Sequence, residues 1–218
     1  MEKSIENIWK EGFLKSDALV APIINDLYNR KSKHAIDKFK RMFKINLIAI
    51  VVFAFAILAV TTFNGLPVIG ISWFLILIGL VVVNKKLTSG LQKIDYHKNS
   101  YEYLMSFNKW LQEQLAINRK MARLYYPFFF LSIVVGFWFV DAEGILLGER
   151  LVGEVLYGFP DIYMIYGIPA FAIICTLVVA GILAMFGGVI YMWDVKLIYG
   201  NIFKKLDELL ADLESLRS

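Results

Sequence analysis

Apolar and polar residues fall along this chain in blocks. Four long apolar runs, Ile45–Phe63, Pro67–Val83, Leu124–Val140 and Ile168–Trp193, contain no Asp, Glu, Lys, Arg or His, and charged stretches flank the first pair and the second. A helix rises 1.5 Å per residue, so about 20 apolar residues cross a hydrocarbon core of roughly 30 Å. Each run is predicted to be a transmembrane helix. Asn64-Gly65 leaves room only for a tight turn between the first two, and Pro67 suits a first helical turn, where its missing N–H costs nothing. A connection this short makes the pair antiparallel.

Outside these runs the apolar positions recur with a helical period. In 84–123 they are Leu87, Leu91 and Ile94, then Tyr101, Leu104, Leu111 and Leu115, which predicts a basic helical hairpin with an apolar seam. Residues 1–15 carry Ile5, Ile8, Trp9 and Phe13 on one face. A break is expected between Gly12 and Ser16, with Ser16 or Asp17 capping a second amphipathic helix that reaches Lys44. Between Asp141 and Asp161, the apolar residues from Ile145 to Leu156 suggest a short surface helix. The tail holds Ile202, Leu206, Leu209, Leu213 and Leu216 at steps of four, three, four and three, a heptad seam. The expected fold is all-α. Residues 1–44 form amphipathic helices and 45–83 a transmembrane hairpin; 84–123 form the basic hairpin. The last two spans occupy 124–193 with an external acidic segment at 141–161, and 194–218 form a terminal helix. All four spans are expected to continue into one polar four-helix bundle.

Charge adds orientation. Of the 23 lysines and arginines, ten lie in 1–44, eight in 84–123, four in 194–218 and one, Arg150, in 141–161, beside Asp141, Glu143, Glu149, Glu154 and Asp161. Short basic loops stay on the cytoplasmic side of a membrane, so both termini and the hairpin are expected inside and the acidic segment outside. Nothing at the start resembles a cleavable signal peptide, so insertion is expected to use the spans themselves. The basic face that includes Lys38, Lys40, Arg41 and Lys44 suits both helix packing and contact with anionic lipid headgroups.

Candidate chemistry is sparse. Charged residues within spans usually mark ion and proton pathways, and these spans have none. Their polar residues, Asn46, Thr61, Thr62, Ser72, Ser132 and Thr176, are expected to bond helical carbonyls or neighbouring helices. His34 and His97 are two ligands where a metal site needs three or four, and the single Cys175 allows no disulfide within the chain. No phosphate-binding loop, His-Glu-x-x-His or Gly-x-Ser-x-Gly occurs. The expectation is no catalytic residue, no metal, no cofactor and no direct contact with nucleic acid. Ala172, Thr176, Ala180, Ala184 and Gly188, four apart, form a stripe of small residues for close helix contact, within the chain or in a homodimer. The tail seam is expected to dock within the chain, on a second subunit or on a partner protein.

Ile5-Glu6-Asn7-Ile8-Trp9-Lys10, Ala18-Leu19-Val20-Ala21-Pro22 and Asp37-Lys38-Phe39-Lys40-Arg41-Met42-Phe43-Lys44 carry a resemblance. The chain resembles small bacterial four-span membrane proteins often encoded beside extracytoplasmic-function sigma factors. The resemblance implies a bacterial inner-membrane location and a regulatory, anti-sigma-like role with a sigma factor as cytoplasmic partner. The His-x-x-x-Cys-x-x-Cys zinc motif of the best-known anti-sigma domains is absent here. Some such proteins carry a carotenoid-oxygenase label, a chemistry whose iron needs four histidines, and this chain has two. The expected function is non-enzymatic regulation or scaffolding at the membrane; the alternative is a small transporter or channel subunit of a larger complex.

Overall fold

The computed structural model describes the backbone of residues 5–93 and 100–215 and the side chains of 30–91, 101–141 and 143–214. In chain order it contains α1 (Ile5–Phe63), α2 (Pro67–Thr88), a 3-10 turn (Ser89–Lys93) and α3 (Ser100–Trp138). There follow β1 (Asp141–Ala142), β2 (Ile145–Leu146), α4 (Leu147–Gly158), β3 (Met164–Ile165), β4 (Ile168–Pro169) and α5 (Ala170–Ser215). Four helices are long and apolar enough to cross a membrane: Arg30–Phe63, Pro67–Leu91, Tyr101–Trp138 and Ala170–Glu214. Each contains one of the apolar runs, save that the third and fourth runs overhang their helices by two residues.

The α1–α2 connection closes as a Schellman motif. Leu66 N–H donates to the Thr61 carbonyl at 2.7 Å and Gly65 N–H to that of Thr62 at 3.2 Å. Gly65 sits at φ +74°, a left-handed conformation that costs glycine nothing. Close contacts set antiparallel neighbours. Phe55 of α1 meets Phe74 of α2 edge-on at 5.1 Å, and Trp73 of α2 meets Phe129 of α3 at 4.8 Å. Gly70 lies against Thr61 and Gly136 against Ile69, with no room for a Cβ at either glycine.

At the end bearing Gly65, the chain makes two minimal hairpins that the sequence reading replaced with helix or span. Asp141 pairs with Leu146 and Ala142 with Ile145; Met164 pairs with Pro169 and Ile165 with Ile168. Glu143-Gly144 and Tyr166-Gly167 all have positive φ, the type I′ geometry that fits a two-residue hairpin. The hairpins are closed alike: Leu147 N–H donates to the Val140 carbonyl at 2.8 Å, and Ala170 N–H to that of Tyr163 at 2.9 Å. Each leads straight into a helix, α4 from the first and α5 from the second. The predicted surface helix is α4, starting after Leu146, and Gly148 lets it pack on the Trp138 indole.

Two further expectations change. α1 runs unbroken through Gly12–Ser16; one glycine costs a helix about 1 kcal/mol, which its neighbouring turns can absorb. The faces of residues 5–29, including Ile5, Ile8, Trp9 and Phe13, lie outside the described side chains. The polar bundle has three long helices, because α2 stops five residues past its apolar run. The Thr88 and Ser89 hydroxyls there donate back to the Asn84 and Lys86 carbonyls, at 2.7 and 2.6 Å. The Trp110 indole N–H of α3 donates to the Leu87 carbonyl at 3.4 Å, tying α3 to the last turn of α2.

Candidate functional site

The polar end is built around Phe39 of α1. Its ring packs against Tyr199 at 5.3 Å, Phe107 at 5.5 Å, Trp110 at 6.3 Å and Phe203 at 6.4 Å, drawing α1, α3 and α5 together. Ile36, Leu104 and Phe107 are fully buried beside it. Aromatic pairs at these separations add about 0.5–1.5 kcal/mol each beyond their burial. Burial pushes the Tyr199 phenol above its ordinary pKa, since the core disfavours the charged phenolate.

The tail seam enters the same core. Ile202, Leu206, Leu209 and Leu213 are all buried in it, whereas Leu216 lies outside the described residues. The apolar surface that made the seam a candidate partner site is therefore covered by α1 and α3 of its own chain. Val195 and Tyr199, which the sequence reading passed over, are buried too. Their signal was available: Val195, Tyr199, Ile202, Leu206, Leu209 and Leu213 keep steps of four and three without interruption.

The small-residue stripe also turns inward. Ala172, Thr176, Ala180 and Ala184 are half-buried and Gly188 is buried, while Leu177, Val178, Ile182 and Met185 on other faces are exposed. A Cβ on Gly187 would stand 2.7 Å from the Ala122 carbonyl oxygen, and one on Gly188 would stand 3.0 Å from Arg119 Cγ. The lower end of the stripe, at Gly188, packs on α3 of the same chain.

Amides join α2 to α3, a link absent from the sequence reading. Asn84 Nδ2 donates to Asn118 Oδ1 at 3.1 Å, and Asn118 Nδ2 donates back to Asn84 Oδ1 at 3.0 Å. Each side chain also donates to a carbonyl of its own helix, Leu80 and Gln114 respectively. Nearby on α3 and α5, the Tyr126 hydroxyl donates to Asp194 Oδ2 at 2.7 Å. Inside the spans, Thr61, Thr62 and Ser132 donate to carbonyls of their own helices.

The four basic residues proposed for headgroup contact separate. Lys38, Arg41 and Lys44 are exposed and Lys40 is half-buried; of the four, Lys40 and Lys44 line an open cavity of about 850 Å³ between α1 and α2. Lys85 joins them from α2, and Phe39, Leu91 and Trp110 also line it. Lys40 Nζ lies 3.9 Å from Asp37 Oδ1 in a solvent-facing pair. The sequence reading had Lys85 only as part of a basic loop; its place beside Lys44 depends on the α1–α2 register.

His34 is exposed and His97 lies outside the described residues. Among the described residues, no three His, Cys, Asp or Glu side chains are grouped to hold a metal ion. No family model matches the chain, and no match was found among curated proteins or solved structures.

Proposed function

We propose that the protein is a multi-pass protein of the bacterial inner membrane, with both termini cytoplasmic, acting as a non-enzymatic regulator or scaffold through its polar bundle. One observation supports this most: α1, α3 and α5 each pass without interruption from an apolar span into the shared aromatic core around Phe39. At 1.5 Å per residue, the 46 residues of α5 reach about 70 Å. A shift of its span in the membrane is carried along the rod to the bundle. The partner in this reading is a cytoplasmic protein, a sigma factor on the resemblance, which competes with the α5 tail for the groove on α1 and α3.

The test is cross-linking of the full chain in native membranes, with recovered proteins identified by mass spectrometry. Wild type is compared with the combined change Leu206→Ser, Leu209→Ser and Leu213→Ser, which frees the tail. Recovery of a soluble transcription factor, in an amount that the triple variant alters, supports the proposal. Recovery of permease subunits, equal in both proteins, would instead assign a small transporter or channel subunit.

A further inference from the structure

We propose that the groove between α1 and α2 is a binding site for one anionic phospholipid. Its phosphate is held between Lys44 and Lys85, and an acyl chain lies along Leu47, Ile48, Val51 and Val81. The argument begins with level. Lys44 directly precedes the first apolar run, and Lys85 follows the second by two residues. The Phe55–Phe74 contact fixes the register of the two helices, and Lys44 and Lys85 each stand eleven residues from it, toward the polar end. The two ammonium groups therefore come to one height, where hydrocarbon gives way to headgroups.

The shape and polarity agree with that height. The cavity measures about 850 Å³, within the roughly 300–1,000 Å³ of small-molecule sites. Its span-side wall is aliphatic, and its polar mouth carries Lys44, Lys85, Thr88 and Ser89, together with Lys40, whose charge is already paired with Asp37 beside the groove. A headgroup with net negative charge complements this mouth. A zwitterionic headgroup would bring its own cation against the lysines. The proposal requires α1 and α2 to be membrane spans, and it is independent of which protein partner the bundle takes.

The test uses the full chain in mixed micelles with equal amounts of phosphatidylglycerol and phosphatidylcholine, read by native mass spectrometry. Wild type should retain one phosphatidylglycerol in preference to phosphatidylcholine. Lys44→Gln with Lys85→Gln should lower that preference roughly tenfold or more, and Lys44→Arg with Lys85→Arg should restore it. Val81→Trp fills the aliphatic wall while leaving both charges, and should also release the lipid. Lys38→Gln with Arg41→Gln removes two charges outside the groove and should change the preference less than twofold. Equal loss in that control would mean diffuse surface attraction and would overturn the site. Displacement of the lipid by millimolar inorganic phosphate, or retention in Val81→Trp, would equally overturn it, since the acyl chain would then contribute nothing. Thermal unfolding of each variant identifies any that no longer folds, and the arginine pair and the Lys38/Arg41 control, both conservative in volume, keep the test decisive.

Discussion

Two leucines on α5 show how differently the two halves of this molecule are covered. Leu177, in the span, is 62% exposed; Leu206, beyond it, is 2% exposed. The same contrast separates Phe53 of α1, at 51%, from Phe107 of α3, at 0%. In the spans many large apolar side chains face outward, while small residues such as Gly70, Gly136, Gly187 and Gly188 stand where helices meet, since lipid is as apolar as leucine and helices gain by close backbone contact. At the polar end the arrangement reverses: aromatic and aliphatic side chains go inside and lysines remain outside, as water demands. One continuous helix thus obeys two rules, and the change comes near Lys44, Lys85 and Asp194.

The contrast breaks most visibly at the polar core. Phe107→Ala should cost about 3–5 kcal/mol, because a fully buried ring leaves a cavity. Phe53→Ala, with its ring toward lipid, should stay within about 0.5 kcal/mol, the usual range for surface changes. Denaturant unfolding of the purified protein measures both. Equal costs would mean that the spans bury Phe53 against a partner.

The span side is probed through its glycines. Gly187→Ala places a methyl 2.7 Å from the Ala122 carbonyl, and such overpacking typically costs ~1–3 kcal/mol. Gly181, on the same helix, has open space around it. Gly181→Ala should be neutral or stabilise by up to about 1 kcal/mol, from helix propensity. Melting temperatures of the two variants should therefore move in opposite directions or by clearly different amounts. A smaller effect belongs to the boundary. Asn118→Ala removes the reciprocal amide link to Asn84, and interhelical hydrogen bonds of this kind contribute about 0.6 kcal/mol, at most near 1.7. Hydrogen exchange at the C-terminal turns of α2 should rise in that variant while the Phe39 core stays protected.

Much of this division was legible in the residues. The spans needed only length and apolarity, and the tail seam showed that α5 had a face to bury. A seam does not say what buries it: that Leu206 shares a core with Ile36 and Leu104 depends on packing between elements far apart in the chain. The hairpins were lost because strands of two residues carry no period. Their turns were nevertheless written in Glu143-Gly144 and Tyr166-Gly167, with glycine at the second central position. The Lys44–Lys85 groove was hidden for a different reason. Lys44 was legible as one of four candidate headgroup contacts and Lys85 only as part of a basic loop, until the register of α1 on α2 set them at one height.

The central claim is that the hairpin end and the polar end lie on opposite sides of a membrane. Cysteine labelling tests it directly in a Cys175→Ser background, which removes the only native thiol. Glu149→Cys, in α4, should react with a membrane-impermeant maleimide in intact cells. Lys204→Cys, on the exposed face of the α5 tail, should react only after the membrane is permeabilised. Labelling of Lys204→Cys in intact cells, with Glu149→Cys silent until permeabilisation, would contradict the proposed orientation, and labelling of both in intact cells would contradict the membrane-spanning account itself.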